Sequence, residues 1–125
     1  MNDDKEILKK INIENNIWII YLIIIGLSFY SNSIEERYVK YKNPDDRRKY
    51  QNLIILIFSI VLVIYYYFFL DNYRDVINLG PYDSEKKKNL NKASLLASTL
   101  VLISGIIFLT LAILDDNMDV ELAFN

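Results

Sequence analysis

The chain has no cysteine and no histidine among its 125 residues. Without these side chains there is no thiol chemistry, and the usual soft-metal sites cannot form. The sequence also contains no glycine-rich phosphate loop and no Ser/His/Asp arrangement. We therefore expect a protein that is not an enzyme and that uses no cofactor or metal ion. The sequence identifies no small-molecule substrate.

Charge is absent from three long stretches. All 14 basic and 16 acidic residues lie outside Asn15–Ile34, Tyr50–Leu70 and Ala93–Leu114, although a mean hydropathy of only +0.16 would suit a soluble domain. A bilayer core of about 30 Å requires roughly 20 apolar residues in a helix. This segregation predicts an all-α membrane protein with three transmembrane helices, and the lipid bilayer is its first partner.

The first span is less apolar than the other two. Its uninterrupted apolar part, Ile17–Tyr30, must continue through Ser31–Ile34 to reach 18 residues. A secretory signal that is cleaved after Ser31 or Ser33 is the alternative. The mixed charges of the preceding segment favour a retained span, because secretory signals usually begin with net positive charge.

These patterns divide the chain into seven segments. They are an N-terminal amphipathic or interfacial segment (1–16), the first span (17–34), an extramembrane helical hairpin (35–52), the second span (53–70), a helix extension with a Gly-Pro turn and the basic start of helix three (71–92), the third span (93–114) and an acidic C-terminal tail (115–125).

Local signals set the ends of the helices. Asn43–Pro44 is a typical helix start, so we expect helix one to continue to about Lys42 and helix two to begin at Pro44. Leu79–Gly80–Pro81 is the matching stop, with Gly80 in a left-handed cap. Helix three should begin near Asp83 or Ser84. Helical extensions therefore project beyond the bilayer on both sides.

Two surfaces are candidates for protein contacts. In the hairpin, Tyr38 and Tyr41 share a stripe with Ile34 and form a partner-docking surface, unless the hairpin simply packs on itself. In helix three, small residues recur on one face and predict a helix-packing interface. That interface serves either helices one and two or another copy of the chain. Its residues are Ser94, Ser98, Gly105 and Ala112.

Several function classes are excluded. Proton relays, coupled transporters and voltage sensors use intramembrane Asp, Glu, Lys, Arg or His, and the three spans contain none of these. A net charge of −2, with acidic and basic residues intermixed, does not favour nucleic-acid binding.

The leading hypothesis is a non-enzymatic membrane interaction or accessory subunit. The alternatives are a homo-oligomeric pore former and a small membrane immunity or stress protein. Three spans in so short a chain resemble the general layout of phage holins and viroporins, which implies pore formation. The acidic tail departs from the basic tail that is usual in holins.

Basic residues orient the chain only weakly. Counting Lys and Arg in alternate segments gives eight on the side of the N-terminus and six on the other side. The positive-inside rule therefore favours a cytoplasmic N-terminus. Mixed orientation is the alternative, because Arg47, Arg48 and Lys49 place the hairpin on the inner side when the second span is considered alone.

Overall fold

The computed structural model describes residues 2–115 of the chain, and within them it contains three long helices. These are α1 (Asn2–Tyr41), α2 (Pro44–Ile77) and α3 (Glu85–Leu114). Each is long and apolar enough to cross a membrane. By length and composition this is an all-α, multi-pass membrane protein, as predicted. Apart from Asp115, the predicted acidic tail lies outside the described residues.

The helices belong to two compact units, the first ending at Leu53 and the second beginning at Ile54. The first unit contains α1 and the first turns of α2, and the second contains the rest of α2 and α3. With 40 residues, α1 is about 60 Å long, twice the thickness of the bilayer core. Its N-terminal turns continue the same helix, and Ile7, Leu8 and Ile11 are exposed there.

Hydroxyl groups in the spans bond to their own helix. Ser31, in the polar end of the first span, is fully buried and donates to the Leu27 carbonyl oxygen at 2.9 Å. Ser28 and Ser59 donate to the carbonyls four residues before them, each at 2.7 Å. These bonds satisfy polar groups that have no water partner within a membrane.

A two-residue link joins α1 to α2. Lys42 has a left-handed backbone conformation, with φ of 54°, and its N–H donates to the Tyr38 carbonyl oxygen at 2.7 Å. The Asn43 side chain accepts a hydrogen bond from the backbone N–H of Asp45 at 3.0 Å. The predicted end of helix one and start of helix two are confirmed to within one residue.

The second link differs from its prediction. Helix α2 ends at Ile77 and not at Leu79, and no glycine in the described chain has positive φ, so the left-handed cap expected at Gly80 is wrong. The Asp83 carboxylate holds the turn instead, accepting from the Gly80 N–H at 2.6 Å. Ser84 then caps α3, as expected, accepting from the Lys87 N–H at 3.1 Å.

The apolar windows of the three helices remain largely uncovered by protein. Only 17%, 22% and 11% of their residues, in chain order, are buried. Large side chains such as Leu22 and Phe29 in α1 and Leu96 in α3 are more than half exposed. Apolar surface of this extent is compatible with a lipid environment.

Candidate interaction surfaces

An ion pair joins the two helices of the hairpin close to the link. Arg37 in α1 lies 3.4 Å from the Asp46 carboxylate in α2. Deeper in the same unit, Ile34 has no exposed surface and Tyr50 is 2% exposed. These residues give the end of α1 and the start of α2 a defined pairing. The hairpin is therefore an ordered surface that can present side chains at fixed positions.

The two tyrosines predicted to form the partner surface have different surroundings. Tyr38 is half-buried, and the Lys42 ammonium lies 5.3 Å from the centre of its ring. Tyr41 is 76% exposed, and Val39, two residues before it in the helix, is 59% exposed. Of the two tyrosines, Tyr41 has far more surface available to a partner.

A groove of about 530 Å³ runs along the hairpin. Three basic side chains and one acidic side chain line it, together with aromatic, aliphatic and hydroxyl groups. Its lining consists of Tyr30, Ser33, Ile34, Glu36, Arg37, Lys40, Tyr41 and Lys49. The Lys49 ammonium lies 5.3 Å from the centre of the Tyr30 ring, within the range of a cation–π interaction. The groove thus combines positive charge with an apolar floor.

The small-residue strip of α3 is covered along part of its length. Gly105 is buried and Ala112 is 1% exposed, whereas Ser98 is half-buried and Ser94 is exposed. The predicted strip ends at Ser94. In the structure the half-buried residue at that end of the helix is Leu95 instead. Buried and half-buried positions then recur at three- and four-residue steps, which is the spacing of helices that pack at a shallow angle. The positions at these steps are Asn91, Leu95, Ser98, Leu102, Gly105, Leu109 and Ala112, and the flanking residues Thr99, Ser104 and Phe108 are also half-buried.

Gly105 packs against α2 of the same unit. A β-carbon at this position would lie 2.9 Å from the Tyr65 Cδ2 atom and 3.2 Å from the Leu62 Cδ1 atom. Beside it the Phe58 and Phe108 rings stack with their centres 5.8 Å apart. A small, largely apolar cavity of about 220 Å³ lies among these side chains. The strip therefore contributes to packing within one chain.

A polar contact joins the same two helices. The Asn72 side-chain amide donates to the Ser98 hydroxyl oxygen at 3.0 Å. The Ser98 hydroxyl in turn donates to the Ser94 carbonyl oxygen at 2.9 Å. Asn72 lies just beyond the apolar run of α2, so this contact marks the end of the span on that side.

These surfaces could be predicted from the sequence only in part. The sequence analysis did not identify Asn72. Its position as the amide nearest to the C-terminal end of the second span could have indicated it, but its partner depends on the register of two helices. In the sequence analysis, the basic residues of the groove were used only in the charge count that orients the chain. Their convergence with Tyr30 depends on how the first turns of α2 pair with the end of α1 within the first unit.

Within residues 2–115, no three Asp, Glu, His or Cys side chains are grouped so that they could hold a metal ion. Comparisons of the chain with protein-family models, with curated proteins and with solved structures each found no match.

Proposed function

We propose that this protein is a non-enzymatic interaction subunit of a membrane. Its three helices act as the anchor, and the hairpin of residues 35–52 acts as the docking surface for a second membrane protein. The observation that carries this proposal is the ordered hairpin with Tyr41 and Val39 exposed on it. Exposed aromatic and aliphatic side chains on a rigid support are typical of protein-binding surfaces.

The packing of α3 supports an anchor more than a pore. Residues that would line a lumen need to face away from their own chain. Gly105 lies against Tyr65 and Leu62 of the same chain, and Ser98 accepts a hydrogen bond from Asn72. The small-residue strip therefore packs within the chain at these two positions, and Gly105 and Ser98 do not face a lumen.

We place the N-terminus in the cytoplasm, on the side that has eight of the 14 Lys and Arg residues. In this orientation the hairpin and its Tyr41 face the opposite side of the membrane. A partner would then contact the chain at that surface.

Native mass spectrometry of the protein released from nanodiscs tests the proposal. We expect one or two copies of the chain together with a different protein. Tyr41→Ala should remove the second protein. Tyr82→Ala is the matched control, because Tyr82 is 99% exposed but lies in the other link.

A different stoichiometry would overturn the proposal. A homo-oligomer of four or more copies that has no second protein and conducts ions would establish the pore former instead. In that case Gly105→Leu should abolish the conductance. A chain that remains alone in every preparation would also contradict the interaction subunit.

A further inference from the structure

The positive charge in the hairpin groove exceeds its negative charge. Arg37, Lys40 and Lys49 line the groove with a single carboxylate, that of Glu36. Asp46 lies just outside the lining and pairs with Arg37. Even with both carboxylates counted, the basic side chains are in excess.

The side chains that already contact these three basic groups leave them able to bind an anion. Lys40 and Glu36 form a pair at 2.9 Å, but the two side chains are 60% and 66% exposed, so water weakens their attraction. Arg37 approaches Asp46 through one of its nitrogens, and a guanidinium has five N–H donors. Lys49 contacts the face of Tyr30, which leaves its ammonium hydrogens able to donate elsewhere.

The groove lies at the depth of lipid headgroups. Tyr30 ends the apolar run of α1, and Lys49 lies beside its ring. The first span ends at Ile34, and Arg37 is three residues further along, a rise of about 4.5 Å in a helix. The headgroup region extends roughly 5–7 Å beyond each face of the hydrocarbon core. The Tyr30 end of the groove therefore lies just inside the hydrocarbon boundary, and Arg37 lies within the headgroup region.

We propose that this groove binds the phosphate headgroup of an anionic phospholipid. Arg37, Lys40 and Lys49 donate to the phosphate oxygens, as basic residues at a membrane surface do for anionic lipids. Tyr30, which is 46% exposed, contacts the glycerol end of the lipid. A soluble phosphate would use the basic side chains alone and would gain nothing from this apolar floor. The site requires no protein partner, so it is independent of the interaction-subunit proposal.

Lipid titration of the full-length, delipidated protein in detergent tests this site. Native mass spectrometry would count bound dioleoylphosphatidylglycerol and, separately, dioleoylphosphatidylcholine. We expect the anionic lipid to bind more tightly than the zwitterionic one. Removing one groove cation should weaken its binding roughly fivefold.

The variants are Lys49→Gln and Arg37→Gln. Lys49→Gln leaves the Arg37–Asp46 pair intact, so it remains informative if Arg37→Gln disturbs the hairpin. Lys86→Gln and Lys92→Gln are the matched controls, because both lysines are exposed and lie outside the groove, at the start of α3. We expect these controls to bind the anionic lipid as the wild type does.

Four results would overturn the proposal. The two lipids could bind equally, or the control variants could weaken binding as much as the groove variants do. Inorganic phosphate could also displace the anionic lipid at low millimolar concentration, which would make the groove a site for soluble anions. A bound acidic protein segment that survives lipid addition would assign the groove to a protein instead.

Discussion

Gly105 in α3 and Tyr65 in α2 approach so closely that only a glycine fits without displacing the ring. A β-carbon at Gly105 would lie 2.9 Å from the Tyr65 Cδ2 atom, and Leu62 closes the same space at 3.2 Å. Contacts of this kind allow helix backbones to approach within a membrane. Because both neighbours are side chains of the same chain, this glycine belongs to the internal packing of the protein.

We expect Gly105→Ala to destabilise the protein by about 1–2 kcal/mol, because the new methyl group must displace both Tyr65 and Leu62. Gly26→Ala is the matched control, since a β-carbon at Gly26 would meet no atom within 4 Å. The control should be neutral or stabilising by up to about 1 kcal/mol, because alanine favours helix. Unfolding in mixed detergent micelles, followed by far-UV circular dichroism, measures both. Equal stability of the two variants would contradict the close packing at Gly105.

Features that depend on short stretches of sequence were predicted well. The three spans follow from the absence of charge over about 20 residues. The start of α2 follows from Asn43–Pro44, and Ser84 caps α3 as expected. Each of these depends on one continuous stretch of the chain, so sequence alone is sufficient.

Features that depend on distant residues were not predicted. Gly80 is an exception at short range, because the Asp83 carboxylate three residues away accepts its N–H and removes the need for a left-handed cap. A helical projection placed Ser94 and Gly105 on one face, but it cannot say where that face meets another helix. Ser94 is exposed for this reason. The groove around Lys49 and Tyr30 likewise depends on the register of the hairpin.

The Asn72–Ser98 hydrogen bond should stabilise the packing of α2 on α3. We expect a double-mutant cycle of Asn72→Ala and Ser98→Ala to give a coupling energy of about 0.6 kcal/mol, the average for such bonds in membranes. Thr110→Val is a control, because the Thr110 hydroxyl bonds only within its own helix, to the Ile106 carbonyl oxygen at 2.8 Å. The changes in the free energy of unfolding caused by Thr110→Val and by Asn72→Ala should be additive. A coupling energy of zero for Asn72 and Ser98 would mean that their hydrogen bond contributes no stability.

Lys42 directly follows α1 and has positive φ, a conformation that residues other than glycine and asparagine adopt at a cost. Lys42→Gly should therefore stabilise the protein by up to about 1 kcal/mol. Lys42→Ile should destabilise it, because a β-branched residue adopts positive φ at a greater cost than lysine does. Lys40→Gly is the control for glycine within the helix and should cost about 1 kcal/mol. The thermal midpoints of the three variants test this order. If Lys42→Gly were as harmful as Lys40→Gly, the left-handed conformation at residue 42 would be contradicted.

The absence of native cysteine permits direct mapping of orientation. Val39 in the hairpin is 59% exposed and Tyr82 in the second link is 99% exposed, so Val39→Cys and Tyr82→Cys provide accessible thiols without a change of charge. With the N-terminus in the cytoplasm, a membrane-impermeant maleimide should label Val39→Cys in intact cells and Tyr82→Cys only after permeabilisation. The reverse pattern would place the N-terminus outside. Partial labelling at both positions would indicate mixed orientation.

Asp83 should show the clearest pH dependence among the residues of the second link. The hydrogen bond from the Gly80 N–H, and then the hydrogen bond from Lys87, lower the pKa of Asp83 below its ordinary value. A carboxylate whose pKa is lowered by folding stabilises the folded state at neutral pH, and that contribution is lost as the pH falls below about 4. Unfolding curves at pH 7 and pH 3 should therefore show a larger loss for the wild type than for Asp83→Asn.

The two causes of the lowered pKa can be separated by carboxyl carbon NMR of Asp83. In Lys87→Gln the midpoint should rise toward the ordinary value, because the ammonium 3.2 Å from the carboxylate is removed. It should remain below that value, because the Gly80 N–H still donates to the other oxygen. A midpoint in the wild type at or above the ordinary value would show that the carboxylate does not hold the turn, and the conformation of Gly80 would need another explanation.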